Sequence, residues 1–253
     1  MRALTAVLLA FAATCHALRL AMHSSSVVAI QGQLPPMAQL PSVSIIGGGP
    51  SGLSAAIMLA RRGYTNIRVF ERLPEPMQPD DPRWTDFRQE RSYCIGISGR
   101  GQRALRALDV MGAIEKHSTD VVGRMDWSPE SKSGAPREVI YTGKSYTTKV
   151  IQRDRLAAIL LHELRHNDAY KSRVTVQFNM ACQQVDFIKP PPSSQAGGDQ
   201  ESSSSSSSCL LHLTSSDAVG ELIIESPFVL GCDGTASALR DAMALARYVL
   251  ILN

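Results

Sequence analysis

Three glycines, one acid and a second glycine turn carry the first chemical signal in this chain. Gly47, Gly49 and Gly52 sit in V-S-I-I-G-G-G-P-S-G (residues 43–52) at the spacing G-x-G-x-x-G, directly after an apolar run and directly before L-S-A-A-I-M-L-A. A strand that turns sharply into a helix at such glycines presents unpaired backbone N–H groups to a pyrophosphate. The first glycine permits the turn, the second lets the phosphate approach, and the third lets the helix pack closely. Ser51 stands in the same turn and belongs to the same cradle. Glu71 ends the segment R-V-F-E nineteen residues after Gly52, where a carboxylate can accept from ribose hydroxyls. Far downstream, G-C-D-G (231–234) closes another apolar run and puts Asp233 at a second strand end. One turn suffices for NAD; two turns point to one larger ligand held by two strand ends, which favours a flavin dinucleotide.

The elements that must position these groups are legible in the apolar periodicity. Val43–Ile46 and Asn66–Glu71 read as strands flanking a helix over Ser51–Arg61, with Gly63 placed as a helix C-terminal glycine. The stretch 73–82, L-P-E-P-M-Q-P-D-D-P, contains four prolines that exclude regular structure and reads as exposed, solvated loop. Residues 91–98 read as a short strand, and Leu105, Leu108 and Met111 mark one helical face. Residues 120–152 are strand-like. Arg153 opens a helix with Leu156, Ile159, Leu160 and Leu164 inward. Val174–Phe178, Cys182–Ile188, Cys209–Thr214 and Glu221–Glu225 read as further strands, and the segment after Asp241 as a short terminal helix or strand at best. Between them, residues 190–208 run P-P-P-S-S-Q-A-G-G-D-Q-E and then serines, a composition that cannot order itself and reads as a disordered insertion.

Composition narrows the class. The chain has 253 residues, 44% of them hydrophobic, and a net charge of +3 from 26 basic and 23 acidic residues. That balance, with no basic stripe, gives no reason to expect a nucleic-acid partner. Cys15, Cys94, Cys182, Cys209 and Cys232 form no C-x-x-C, so neither a zinc site nor a disulfide framework is indicated. His117, His162, His166 and His212 have no carboxylate or cysteine at ligand spacing in the sequence. Ser51 and Ser98 form no triad with them. The first residues, M-R-A-L-T-A-V-L-L-A-F-A-A-T, have one early positive charge and an apolar run of signal-peptide length, followed by small residues at A-T-C-H-A. They read as a leader for the secretory pathway or an organelle, and the run is too short for a confident membrane span.

Beyond these single features, the chain resembles the FAD-dependent aromatic-ring hydroxylases, the class A flavoprotein monooxygenases, and among them the kynurenine 3-monooxygenase branch. The resemblance rests on G-G-G-P-S-G (47–52), F-E-R (70–72), R-S-Y-C-I-G-I-S-G-R-G-Q-R-A-L (91–105), R-M (124–125), I-Y-T-G-K-S (140–145), I-Q-R-D-R-L (151–156) and G-C-D-G-T-A-S-A-L-R (231–240). It implies an α/β fold: a Rossmann-like FAD-binding domain of the glutathione-reductase/aromatic-hydroxylase type, with part of a β-rich substrate domain. The expected division is a leader and linker over 1–40, the first part of the FAD-binding domain over 41–118, strands on the substrate side over 119–152, and the rest of the FAD-binding domain over 153–248.

The same resemblance implies roles for individual residues. Glu71 would bind the adenosine ribose, and Arg72 would lie beside the adenine end. Gly96 matches a backbone position near the flavin, Arg153 an arginine that contacts FAD, and Cys182 a position lining the adenine side. Asp233 would face the ribityl and phosphate side. Arg124 and Tyr141 match a pair that holds the carboxylate of L-kynurenine, chemistry that a guanidinium fork and a phenol can perform. NADPH would be the reductant and O2 the source of the oxygen placed on the aromatic ring; no side chain is singled out as a catalytic acid or base. Family members continue well past the G-D-G motif, whereas this sequence has thirteen residues after Arg240. On the resemblance, the fold would therefore be C-terminally incomplete.

Overall fold

The computed structural model describes residues 40–85, 93–127, 136–188, 208–217 and 220–252. The predicted leader up to residue 39, Arg91 and Ser92 of the arginine-rich block, and the serine-rich insertion up to residue 207 lie outside the described residues.

Four short parallel strands form the centre. β1 (Val43–Ile46) pairs with β2 (Ile67–Phe70) on one side and with β12 (Phe228–Gly231) on the other, and β2 pairs with β8 (Val174–Gln177). Their order is β12-β1-β2-β8, so the first and the last strands of the described chain are neighbours. Alternation along each strand builds two cores. Val43, Ile45, Ile67 and Val69 belong to the cluster on the helical side, with residues of α1 (Pro50–Arg61) and α4 (Arg153–His166). Ile46 and Phe70 belong to a second cluster with Val185, Leu211 and Leu213. Those three come from an antiparallel meander, β9 (Met180–Ile188), β10 (Ser208–Ser215) and β11 (Glu221–Ser226), which covers the other face. The result is three layers: helices, parallel sheet, antiparallel sheet.

Local chemistry explains the helices. Gly49 is the N-cap of α1 and Pro50 its first residue, where a missing N–H costs nothing. Gly63 follows the helix with φ +92°, which releases the chain towards β2. In α4, Leu160, Leu161 and Ala158 are fully buried, and Leu156, Ile159 and Leu164 point inward as expected. Truncating Leu160 to alanine would cost about 2–5 kcal/mol from lost burial and the cavity left behind.

The remaining elements depart more from expectation. The face at Leu105, Leu108 and Met111 is buried, but it is split between α2 (Gly99–Ala107) and α3 (Met111–Lys116) by Asp109 at φ +60°. Arg61 stabilises the break: its guanidinium donates to the Ala107 and Leu108 carbonyls left open at the end of α2 and pairs with Asp109 at 2.8 Å. The strand-like stretch becomes β4 (Thr119–Val121), β5 (Gly123–Asp126), β6 (Arg137–Ile140) and β7 (Thr148–Gln152). β3 (Cys94–Ile97) and β4 flank β7, and β5–β6 form a separate hairpin. The terminal segment is a fifteen-residue helix, α5 (Ala238–Leu252), which corrects the expectation of a short element. Its start is fixed by Ser237, whose hydroxyl accepts the Arg240 N–H at 3.1 Å, and Leu239 seats it on the meander. Among the described residues, no helix is long and apolar enough to cross a membrane.

The proline-rich loop also differs from the solvated chain expected of it. Met77 packs against the helical-side core, Glu75 pairs with Arg165 of α4, and Trp84, in a short 3-10 turn (Pro82–Thr85), is buried. Two apolar anchors and one ion pair outweigh the polar composition.

Candidate dinucleotide-binding site

The two glycine turns meet because β1 and β12 are adjacent and in register, Ile46 opposite Gly231. The Cys232 N–H donates to the Ile46 carbonyl at 2.6 Å, and the Gly47 N–H donates to the Phe70 carbonyl at 2.8 Å, so three strand ends are stitched together. Gly47 has φ +104°, a conformation that disfavours any side chain. Its missing β-carbon would also collide with the Cys232 carbonyl and lie 2.8 Å from the Asp233 nitrogen. At Gly52 a β-carbon would overlap the Gly47 carbonyl oxygen, and at Gly48 it would come 2.8 Å from the Glu71 β-carbon. Gly48 is thus a third constrained glycine, one that the G-x-G-x-x-G pattern does not mark.

Above the turn lies a groove of ≈ 630 Å3, which brings together Gly47, Gly49, Glu71, Arg72, Arg153, Cys182 and Asp233. Glu71 is held there by two backbone donors: Gly48 N–H reaches one carboxylate oxygen at 2.7 Å and Leu73 N–H the other at 2.9 Å. Arg153, the first residue of α4, swings back over the start of α1, its Nη2 2.9 Å from where a Gly49 β-carbon would be. It is joined to Asp154 at 3.2 Å. A guanidinium over a helix N-terminus gives the groove a positive focus on the side facing Gly49, suited to a pyrophosphate. Glu71 and Asp233 line the same groove and supply carboxylate acceptors.

The groove thiols are set up for packing. Burial, with the Asp233 charge adding to it, pushes the Cys182 thiol up to about 11, and burial raises Cys232 as well. Both therefore stay protonated and act as small apolar walls.

A second cavity of ≈ 580 Å3 opens on the helical side and shares Gly49, Glu71, Leu73 and Arg153 with the groove. Its outer wall is the segment from Leu73 to Met77 together with Trp84, closed by Phe178 and Ala157. Nothing in the sequence marks this wall, since its members are ordinary loop residues.

Other predicted site residues lie elsewhere. Gly52 is buried beneath the turn, and Ser51 is exposed on the first turn of α1, outside the groove lining. Gly96 sits in β3 opposite Val150 and does not line the groove; Tyr93, just before that strand, does. Arg124 and Tyr141 come together at the β5–β6 hairpin, away from the groove. Arg124 pairs with Asp126 at 2.8 Å, and its guanidinium is held above its ordinary value by Asp126 first and Tyr141 second. Lys144 stacks over the Tyr141 ring at 4.0 Å.

Comparison with known proteins agrees with this geometry. Residues 45–77 match the model of the NAD(P)-binding Rossmann-like domain, the segment that carries the first turn and Glu71. Kynurenine 3-monooxygenase of Myxococcus xanthus is 29% identical over 211 residues, which is 81% of this chain and 38% of that protein. Kynurenine 3-monooxygenase of Salinispora tropica is 38% identical over 89 residues, 35% of this chain and 18% of that protein. The crystal structure of the flavin-dependent monooxygenase PieE, in complex with FAD and substrate, superposes with a TM-score of 0.57 at 14% identity, covering 81% of this chain and 32% of that one.

The chain has the fold of the class A FAD-dependent monooxygenases and is similar in sequence to the kynurenine 3-monooxygenases. The three layers described above have the Rossmann-like α/β fold of the glutathione-reductase/aromatic-hydroxylase type, with additional β-sheet. The matched stretches span well under half the length of these kynurenine 3-monooxygenases.

Proposed function

We propose that this chain forms the nucleotide-binding part of an FAD- and NADPH-dependent monooxygenase that hydroxylates an aromatic substrate of the kynurenine type. The observation that carries the reading is the meeting of the two glycine turns on adjacent parallel strands, with Glu71 and Arg153 facing the same groove. The cradle fits FAD. Gly47, Gly49 and Gly52 leave the space that a pyrophosphate and its helix need, and the groove presents carboxylate acceptors from both Glu71 and Asp233. Arg153 would hold the phosphates, Glu71 the adenosine ribose, Cys182 and Met180 would border the adenine, and Asp233 would face the ribityl hydroxyls. When bound, the flavin would supply the redox chemistry and oxygen activation; the protein's own contribution is to bind it, orient it and limit water around it.

The choice of kynurenine as substrate is supported by the relatives named above and by the pairing of Arg124 with Tyr141. For this pair to bind a substrate carboxylate, Arg124 must exchange its contact with Asp126 for the ligand, a swap between two similar ion pairs.

Flavin fluorescence quenching on titrating FAD into the purified chain tests the cofactor, with micromolar binding or tighter expected. For the enzyme isolated from its native cells, NADPH consumption should accelerate on adding L-kynurenine, with a hydroxylated product by mass spectrometry. Quenched flavin without substrate-stimulated NADPH oxidation would instead favour another FAD-dependent reductase or dehydrogenase. Absence of any FAD binding would leave a non-catalytic remnant.

A further inference from the structure

The segment from Leu73 to Thr85 is a strap laid across the second cavity, and its far end is fastened by a single side chain. Trp84 is 6% exposed, and it is tied three ways. Its indole Nε1–H donates to Nδ1 of His117 at 3.0 Å, with the two rings edge to face at 5.2 Å. Its backbone carbonyl accepts from the Arg155 guanidinium, and that guanidinium lies over its ring face at 4.9 Å from the centroid. His117 caps the C-terminal end of α3, so this fastening joins the strap to α3 and α4 together.

The first tie depends on protonation. An indole N–H needs an acceptor, and His117 supplies one only while Nδ1 keeps its lone pair. We propose that Trp84 and His117 form a proton-operated latch, closed when His117 is neutral and released when it gains a proton. On protonation, Nδ1–H would face the indole N–H, two donors with nothing between them, and a second positive charge would arise beside Arg155.

The surroundings favour the closed state at neutral pH. Burial, then the charges of Arg155 from α4 and Lys116 from its own helix, hold His117 below its ordinary value. In the strap, Asp81 and Arg83 are paired with one another at 2.7 Å. At the strap's other end, Arg72 and Leu73 line the groove itself, and Glu71 holds the Leu73 N–H. Releasing Trp84 therefore opens one end of the cavity wall, while Met77 and the Glu75–Arg165 pair hold the rest. That cavity shares Gly49 and Arg153 with the groove.

Trp84 reports on its own latch. The chain has two tryptophans, and the other, Trp127, is 71% exposed, so W127F leaves Trp84 as the single emitter. In that background, the emission maximum should move to longer wavelength and acrylamide quenching should rise as pH falls through a midpoint below about 6.5, while far-UV circular dichroism stays constant. His117→Gln keeps a side-chain oxygen acceptor at every pH, so W127F/H117Q should show a blue, protected Trp84 throughout. His117→Ala should show the released signal already at pH 8. An unmoved emission maximum between pH 8 and 5, an equal shift in H117Q, or a shift that coincides with loss of secondary structure would each overturn the latch. A second arm rests on the proposed function: FAD affinity should fall several-fold from pH 7.5 to 5.5 and stay flat in H117Q. If FAD does not bind at any pH, the cofactor reading fails, and the Trp84 titration still decides the latch.

Discussion

The carbonyl oxygen of Cys232 occupies the space that a β-carbon on Gly47 would need. One turn is therefore the steric mould of the other, and the two halves of the dinucleotide cradle cannot be altered separately. Gly47→Ala must accept both a left-handed backbone and a clash with main chain that cannot swing aside. The expected loss is about 2–4 kcal/mol, or a Tm lower by roughly 5–15 °C. Gly49→Ala differs. Its φ is an ordinary −75°, and the added carbon would meet only the mobile end of Arg153. It should keep its stability to within about 1 kcal/mol and lose nucleotide affinity instead. Thermal melts beside FAD titrations separate the two, and equal melting losses would contradict the mould.

Glu71 and Arg153 should fail in different ways. The two Glu71 oxygens each take one backbone N–H, from Gly48 and from Leu73. Glu71→Gln has one acceptor oxygen and turns an N–H donor towards the other amide, so it should cost about 1–3 kcal/mol of stability even without ligand. Arg153→Gln removes a half-buried cation paired with its neighbour Asp154, leaving the fold intact. It should weaken FAD binding by roughly 1.5–3 kcal/mol, about 10- to 150-fold. A Tm loss for Arg153→Gln as large as that for Glu71→Gln would show that Arg153 is structural.

How much of this was readable beforehand follows from what kind of contact each residue makes. Gly47, Gly52, Glu71 and Asp233 are legible because a strand end, a turn and a helix start are set within a few residues of one another. The α1 and α4 core is legible from its apolar spacing. The break at Asp109 is not, because Leu-Asp-Val-Met carries no breaker; its left-handed residue is supported by Arg61, forty-eight positions away. The strap is missed for the same reason, since Trp84 finds His117 and Arg155 only in three dimensions. Gly96 lies on a strand edge while Tyr93 enters the groove, a difference of three residues that motif spacing cannot resolve.

His212 shows a further pairing that spacing along the chain hides. The register of the meander sets it between Glu221 at 2.8 Å and Asp186 at 2.9 Å, on opposite ring nitrogens. The contact with Glu221, and then that with Asp186, raises its pKa above the ordinary value. A folded value above the unfolded one means that stabilisation is complete below about pH 6.5 and is lost as pH rises through the folded value. The Tm advantage of wild type over His212→Gln should be largest near pH 6 and should shrink by pH 9. Added salt should reduce it too, because the cluster borders water. An advantage that grows with pH would mean that His212 sits there neutral.

The groove thiols give a test of solvent exclusion that needs no ligand. Cys94 is exposed, whereas Cys182 is half-buried beside Asp233 and its thiol is pushed up to about 11. At pH 8 a thiol of that pKa is about 0.1% thiolate, against roughly a quarter for a free cysteine. Iodoacetamide at pH 8 should therefore label Cys94 well before Cys182, read by peptide mass spectrometry. Burial is the larger cause and the Asp233 charge the smaller, so Asp233→Asn should speed Cys182 labelling by a modest factor and leave it slower than Cys94. Labelling of Cys182 as fast as Cys94 in the unmodified protein would show that water reaches this part of the groove lining freely, and the role of Cys182 as a packed wall would have to be given up.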